Sequence, residues 1–147
     1  STAELAGKTP LSNGNLGLLD SSVYIENFRT GRFALALLRS PWIVRCSAVV
    51  LHELWRGART ALELRFVGEL ARKIRIITPT ESHWLESAEI LSQIRKRKGY
   101  DAYKLRDLAF DVLIALSARD IGATLITRDQ QDFAEIRKHV LFKVVFW

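Results

Sequence analysis

The sequence contains few of the residues that form disulfides and zinc centres, and it has no long apolar run. Cys46 is the only cysteine among 147 residues, which excludes an internal disulfide and a zinc site built from cysteines. The histidines stand at no spacing that suggests a catalytic or zinc site; they are His52, His83 and His139. No segment reaches the roughly 20 apolar residues that span a bilayer. Residues 1–17 lack the apolar core of a signal peptide. We therefore expect a cytoplasmic protein with no membrane segment.

Apolar residues and positive charge are well represented. With 48% hydrophobic residues in a length of 147, the chain can form one globular domain with a sizeable core. The formal net charge is +6 and the pI is about 9.8, which favours a polyanionic partner. Residues 1–15 are small and polar and include glycine and proline. We predict a flexible leader there and a single domain over residues 16–147.

Short apolar runs with strand character alternate with helical segments along the chain. We predict strands at residues 16–19, 43–46, 74–77, 123–127 and 140–147. We predict helices at residues 23–28, 33–38, 48–57, 60–73 and 80–98, and a further helix that ends at Gly122. Either Ser21 or Ser22 is expected to cap the first helix. This alternation is typical of an α/β domain with a mainly parallel central sheet and helices on both faces.

Within residues 105–133, two carboxylates occupy positions that hydrophobic packing alone does not explain. Every residue from 108 to 116 is apolar except Asp111, so this charge lies against a helix surface that otherwise resembles core. A lone carboxylate there is costly unless a partner pairs it. Asp129 comes after the apolar run at residues 123–127, so it leaves the end of a buried strand. In open α/β sheets, binding crevices form at that end of the strands.

Two further carboxylates have similar surroundings. Asp20 comes directly after the first predicted strand, and Glu53 is set into an apolar helical run. We expect Asp20 and Asp129 at one edge of the sheet, where the ends of flanking helices can add Glu53 and Asp111. Four anions share a small site only with protonation or a cation, and oxygen ligands alone suit Mg²⁺ or Mn²⁺. A basic surface would then hold a nucleic-acid backbone while the carboxylates hold metal against one phosphate.

Each of these residues also has a purely structural interpretation. Glu53 could pair with Arg56 or Arg59 on its own helix. Asp129 could cap the helix that comes after it, either instead of a site role or in addition to one. Asp132 is expected to be solvated, although it is close enough to Asp129 to replace or assist it. These alternatives remain open at the level of sequence.

Three segments together resemble the PIN-domain nucleases, and among them the VapC-like toxins of type II toxin–antitoxin pairs. The segments are LLDSSVYI around Asp20, SAVVLHELWRGA around Glu53, and AFDVLIALSARDIGATLITRDQQDF around Asp111 and Asp129. The resemblance covers nearly everything from Leu16 onward. It implies a small three-layer α/β/α domain, metal-dependent RNA cleavage to a 5′-phosphate and a 3′-hydroxyl, frequent homodimers, and neutralisation by a cognate VapB-like antitoxin.

The resemblance also assigns roles to individual residues. The family's four acids, in order, match Asp20, Glu53, Asp111 and Asp129, of which the first and third usually bind the metal directly. Three neighbours are candidates for supporting contacts around these ligands: Ser21, Thr127 and Asp132. The resemblance therefore predicts a Mg²⁺- or Mn²⁺-dependent ribonuclease. The alternative is a catalytically idle PIN-like module that binds RNA or a protein partner.

Overall fold

The computed structural model describes residues 15–147, and this part of the chain contains five strands and seven helices. The strands are β1 (Leu16–Leu19), β2 (Ile43–Ser47), β3 (Ile76–Ile77), β4 (Thr124–Thr127) and β5 (Lys143–Phe146). The helices are α1 (Ser21–Thr30), α2 (Ala34–Arg39), α3 (Ala48–Gly57), α4 (Ala61–Lys73), α5 (Glu81–Lys98), α6 (Ala102–Ile121) and α7 (Gln130–Ile136). The predicted leader lies outside the described residues, except for Asn15, whose carbonyl accepts a hydrogen bond from the backbone N–H of Ile43.

The five strands form one sheet in the order β3-β2-β1-β4-β5, and every neighbouring pair is parallel. The predicted three-layer α/β/α architecture with a parallel central sheet is confirmed. Because all strands run the same way, their carboxyl ends share one edge of the sheet. β1 and β4 are adjacent in the middle, so the residues just after Leu19 and Thr127 are brought together at that edge.

Side chains at the helix ends explain where several helices start. Ser47 caps α3 by accepting a hydrogen bond from the backbone N–H of Val49. Thr60 and Thr80 begin α4 and α5 with reciprocal capping boxes. The predicted serine cap of α1 is wrong: Asp20 occupies the cap position, and its side chain makes no capping bond. That carboxylate is engaged elsewhere.

The core is built around α6 and the two central strands. From Val112 to Ala118, α6 is buried on all sides, and it packs on Leu18, Leu125 and Ile126 of the sheet. A helix that is apolar all round is the kind that lies inside a domain. Its amino-terminal half emerges from the core, so α6 carries its polar residues towards the surface near the sheet edge.

Two predicted strands are shorter than expected. Ile74 is the residue that ends α4, because its N–H bonds to the carbonyl of Leu70, and β3 therefore contains only residues 76 and 77. The backbone of Val140 bonds back to Ile136 in the turn after α7, so the last strand begins at Lys143. None of the helices in residues 15–147 has the length and apolar character needed to cross a membrane.

Candidate metal centre

Asp20 lies directly after β1, and only 4% of its surface is exposed. Its backbone N–H donates to the carbonyl of Ile126 at 2.9 Å, which continues the pairing of β1 with β4 past the end of the strand. Its carboxylate oxygen Oδ2 accepts hydrogen bonds from Ser22 Oγ at 2.8 Å and from Thr127 Oγ1 at 2.9 Å. Two hydroxyl donors on one oxygen fix the orientation of a buried carboxylate.

The same two hydroxyls also hold the turn between β4 and α7. Ser22 Oγ accepts from the backbone N–H of Arg128 at 3.1 Å, and Thr127 Oγ1 accepts from that of Asp129 at 3.0 Å. Each hydroxyl therefore links a backbone amide of the turn to the carboxylate of Asp20. Ser22 was expected only as one of two alternative helix caps, and its contact with Asp20 is a role that the sequence did not reveal.

Asp111 lies on the emerging half of α6, beside the buried Leu108 and Val112. Burial raises the pKa of its carboxyl from 3.8 to about 9, and the charges of Asp20, Glu53 and the acids at the start of α7 add to the increase. An acid with a pKa near 9 keeps its proton at neutral pH unless a cation stands beside it. Asp111 is thus a group whose ionisation requires a partner of positive charge.

Asp129 and Asp132 lie at the start of α7, at its cap and in its first turn. Asp129 Oδ1 accepts from the backbone N–H of Asp132 at 3.1 Å, so Asp129 does cap the helix. Ligand oxygens of Asp111, Asp129 and Asp132, here called the acid group, all lie within 4.8 Å of one another. Burial, followed by the charge of Asp132, raises the pKa of Asp129. Asp129 therefore serves the helix and the acid group together.

The expectation that Asp132 is solvated is wrong, since its side chain is only 19% exposed. A helix cap and the third residue after it lie on the same side of the first turn, so Asp129 brings Asp132 with it towards Asp111. Asp107, one turn before Asp111 on α6, is exposed.

Glu53 approaches from α3 and is half-buried. Its Oε1 is buried and has no hydrogen-bond partner among the described residues. Burial, then the charge of Asp20, raises its pKa from 4.5 to about 7, against smaller opposing effects of Ser21 and Arg56. The alternative interpretation, an ion pair of Glu53 with Arg56 or Arg59, does not apply within residues 15–147, where no salt bridge involves Glu53.

The four predicted acids therefore do not form a single tight cluster. Asp111 and Asp129 meet in the acid group, with Asp132 as its third member. Asp20 and Glu53 lie outside it, and both are near enough for their charges to raise the pKa of Asp111.

Lys104 is a basic residue at this edge that the sequence patterns did not single out. Its Nζ lies 2.9 Å from Asp132 Oδ1, and this hydrogen bond is the main reason that the pKa of Lys104 is raised. A signal was available, because Lys104 precedes Asp111 by seven residues, which is two helical turns, so both lie on one face of α6. Without the position of Asp132, however, a lysine near the start of a helix cannot be told from an ordinary surface lysine.

The composition of the site fits a hard divalent cation. The acid group offers three carboxylates and has one ammonium beside it, so negative charge remains in excess. Glu53 adds a buried oxygen without a partner among the described residues. Oxygen ligands from carboxylates are those that Mg²⁺ and Mn²⁺ prefer. The raised pKa values of Asp111, Asp129 and Glu53 mean that a nearby cation would favour their ionised forms.

A parallel sheet covered on both faces, with carboxylates gathered where β1 and β4 end, defines an α/β domain that uses acidic side chains at its crevice. The chain belongs to the PIN-domain family, whose sequence model matches residues 17–139. This family consists in general of nucleases. The predicted resemblance to it is confirmed.

Solved structures give the same fold. A chain of VapBC-1 from nontypeable Haemophilus influenzae superposes with a TM-score of 0.65 at 19% identity, covering 90% of this chain and 98% of that one. A chain of DNA-bound VapBC from Salmonella typhimurium gives 0.59 at 19% identity with the same coverage. A toxin–antitoxin complex from Klebsiella pneumoniae gives 0.56 at 23% identity, covering 88% of this chain and 95% of that one. A sequence search of curated proteins finds no match.

Proposed function

We propose that this protein is a metal-dependent endoribonuclease that hydrolyses RNA phosphodiester bonds, and that it acts in the cytoplasm as the toxin of a toxin–antitoxin pair. The observation that carries the proposal is the acid group, in which burial and neighbouring charges raise the pKa of Asp111 to about 9. Such an arrangement costs stability unless a cation binds it. Membership of a nuclease family and the net charge of +6 support a polyanionic substrate.

Asp111, Asp129 and Asp132 would hold Mg²⁺ or Mn²⁺, with Asp20 close by. When bound, the ion would polarise a phosphate oxygen and make an attacking water more acidic. Ser22 and Thr127 hold the carboxylate of Asp20, so this group keeps its position while substrate enters. Fixed charges that need no rearrangement during the reaction are the most effective ones.

Glu53 is the residue best suited to take a proton. Its Oε1 is buried and lacks a partner among the described residues, and its pKa is raised to about 7. A general base works best when its pKa lies near the working pH. In this proposal Glu53 Oε1 accepts the proton of the attacking water as the oxygen approaches phosphorus in line with the leaving 3′-oxygen. The bond between phosphorus and the 3′-oxygen breaks, that oxygen takes a proton from solvent water to become the 3′-hydroxyl, and the new bond to phosphorus leaves a 5′-phosphate.

The test compares two neighbouring carboxylates on α6. Asp111→Asn should abolish Mg²⁺-dependent cleavage of a labelled single-stranded RNA, whereas Asp107→Asn should cleave like the original protein. Circular dichroism of both variants provides the control for folding. Mg²⁺ binding measured by calorimetry should disappear in Asp111→Asn and persist in Asp107→Asn. Undiminished cleavage by Asp111→Asn would exclude this site. Binding of RNA without cleavage by the unaltered protein would favour the catalytically idle module.

The antitoxin proposal rests on the VapBC complexes and on an open groove between α1, α3 and α4. The groove is lined mainly by apolar side chains, including Phe28, Leu54 and Phe66, and Glu53 forms part of its wall. An apolar peptide segment of an antitoxin placed here would reach the edge of the proposed site. Expression of the chain alone should arrest growth, and co-expression of a neighbouring gene product should relieve the arrest. Arrest by Asp111→Asn would contradict toxicity through cleavage.

A homodimer is also proposed. Phe33, just before α2, is buried, while Phe28 on α1 is 42% exposed. On α2, Leu35 and Leu38 are 54% and 83% exposed. Apolar side chains that protrude from adjacent helices are typical of an isologous interface. Light scattering should give a dimer mass for the protein and a monomer mass for Leu38→Lys; equal masses would refute this interface.

A further inference from the structure

One face of α6 carries a row of aromatic and guanidinium side chains outside the acid group. Tyr103, Arg106 and Phe110 succeed one another at intervals of three and four residues, which places them on one side of the helix. The Tyr103 ring is 71% exposed, and Arg106 Cζ lies 4.9 Å from its centroid. Arg56 of α3 extends to the same row, with its Cζ 5.7 Å from the centroid of Phe110. These four residues are here called the stacking row.

The stacking row runs beside the proposed metal ligands. Phe110 immediately precedes Asp111, and it meets the ring of His52, which immediately precedes Glu53, edge to face at a centroid distance of 5.3 Å. The two helices that supply these acids thus also supply the rings next to them. A substrate strand held on the row would pass alongside the carboxylates.

The guanidinium groups of the row are available to an anion. Arg56 and Arg106 are both exposed, and within residues 15–147 no carboxylate oxygen lies within the 4.0 Å of an ion pair with either one. In contrast, Arg119 is bound by Glu86 and Asp120, and Arg97 by Glu135. These two arginines without an ion pair in the described part of the chain thus lie over aromatic rings near the acids.

We propose that the stacking row binds unpaired bases of single-stranded RNA that flank the bond to be cut. The RNA identity of the ligand rests on the proposed nuclease function. The exposed ring of Tyr103 offers a face on which a base stacks, and the guanidinium groups of the row can meet the phosphates. The carboxylates at the site repel a polyanion, so a cationic row next to them provides the attraction that brings the backbone in. An acidic peptide would satisfy the arginines and leave the Tyr103 face without a stacking partner.

Stacking on Tyr103 requires a base with a free face. A duplex offers such faces only at its ends, so the row selects unpaired RNA. The selection depends little on base identity, because every base presents a π-face.

Binding is measured as the fluorescence anisotropy of a short labelled oligoadenylate at low salt in EDTA, where metal-dependent cleavage cannot occur. Tyr103→Ala should weaken affinity about tenfold, as expected for one lost stacked base, and Tyr103→Phe should retain it. Arg106→Gln should weaken affinity and lower the slope of log affinity against log salt by about 0.7, the value for one phosphate of a single strand. Arg75→Gln, an exposed arginine before β3 at the opposite edge of the sheet, is the control and should leave both unchanged.

The two proposals fail in different ways. Equal affinities of the unaltered protein and Tyr103→Ala, or no binding by the unaltered protein at low salt, would overturn the stacking row whatever the cleavage assay shows. The same Tyr103 dependence with polyglutamate in place of RNA would also overturn it. If binding depends on Tyr103 but no RNA is cleaved, the row stands and the nuclease proposal falls.

Discussion

The stability of the metal-free protein should decline as the pH rises, and Asp111 should be the main cause. Its pKa is about 9 in the folded protein against 3.8 for an unperturbed aspartate. Between these values the folded chain binds the proton more tightly than the unfolded chain does. The corresponding stability is fully present below the unfolded pKa and is lost as the pH rises towards the folded pKa.

The magnitude comes from the linkage relation. One proton difference corresponds to about 1.4 kcal/mol per pH unit, so the loss between about pH 6 and pH 8 is at most about 2.8 kcal/mol. Asp111 is partly accessible and its neighbours titrate with it, so we expect about 2 kcal/mol, or about 4–8 °C in Tm. The pKa of Glu53, raised to about 7, gives the same sign over the lower part of this interval.

Asp111→Asn isolates the contribution of this carboxyl, because asparagine resembles the protonated acid and cannot ionise. In EDTA the variant should match the original protein near pH 6 and melt higher than it near pH 8. Asp107→Asn serves as the control and should behave like the original protein throughout. Differential scanning calorimetry across this interval provides the measurement. Parallel curves for Asp111→Asn and the original protein would show that Asp111 does not carry the proton assigned to it.

Three further predictions concern the metal, the sheet edge and the start of α5. Mg²⁺ at about 100 times its Kd should stabilise the protein by about 2.7 kcal/mol in a thermal shift assay, with no gain for Asp111→Asn; an equal gain would place the ion elsewhere. Thr127→Val should cost about 1–3 kcal/mol in urea unfolding, because Asp20 loses a donor, while Thr127→Ser should recover most of it. His83→Ala, which removes the buried ring that accepts from the Thr80 backbone, should cost a similar amount and leave RNA cleavage unchanged.

The helices and strands, and the sheet edge shared by Asp20 and Asp129, could be predicted because they depend on patterns between residues close together in the sequence. Short apolar runs that end close to Asp20 and Asp129 define two strands, and parallel pairing then places both acids at one edge of the sheet. Asp111 could be recognised from the sequence because it is the one charged residue within an apolar helical segment, where an unpaired charge is unfavourable.

The membership of the acid group could not be predicted because it depends on contacts between distant residues. Whether Asp132 faces water or Asp111 is decided by the direction in which α7 leaves β4. Whether Lys104 is an ordinary surface lysine is decided by Asp132, from which it is separated by 28 positions. Glu53 illustrates the same limit, since Arg56 stands at a suitable helical spacing for an ion pair and the described structure does not contain that pair.

The hydrogen bond from Thr127 to Asp20 spans 107 positions of the chain, and this separation governs when the site can exist. During synthesis the β1 end of the chain emerges long before β4 does. Until β4 has left the ribosome and paired with β1, Asp20 has neither its Thr127 donor nor the acids of α7 near it. A nascent chain therefore carries only part of the acidic site. The proposed toxicity would therefore begin only after nearly all of the domain has been translated. An antitoxin can be made during that time, before the toxin becomes active.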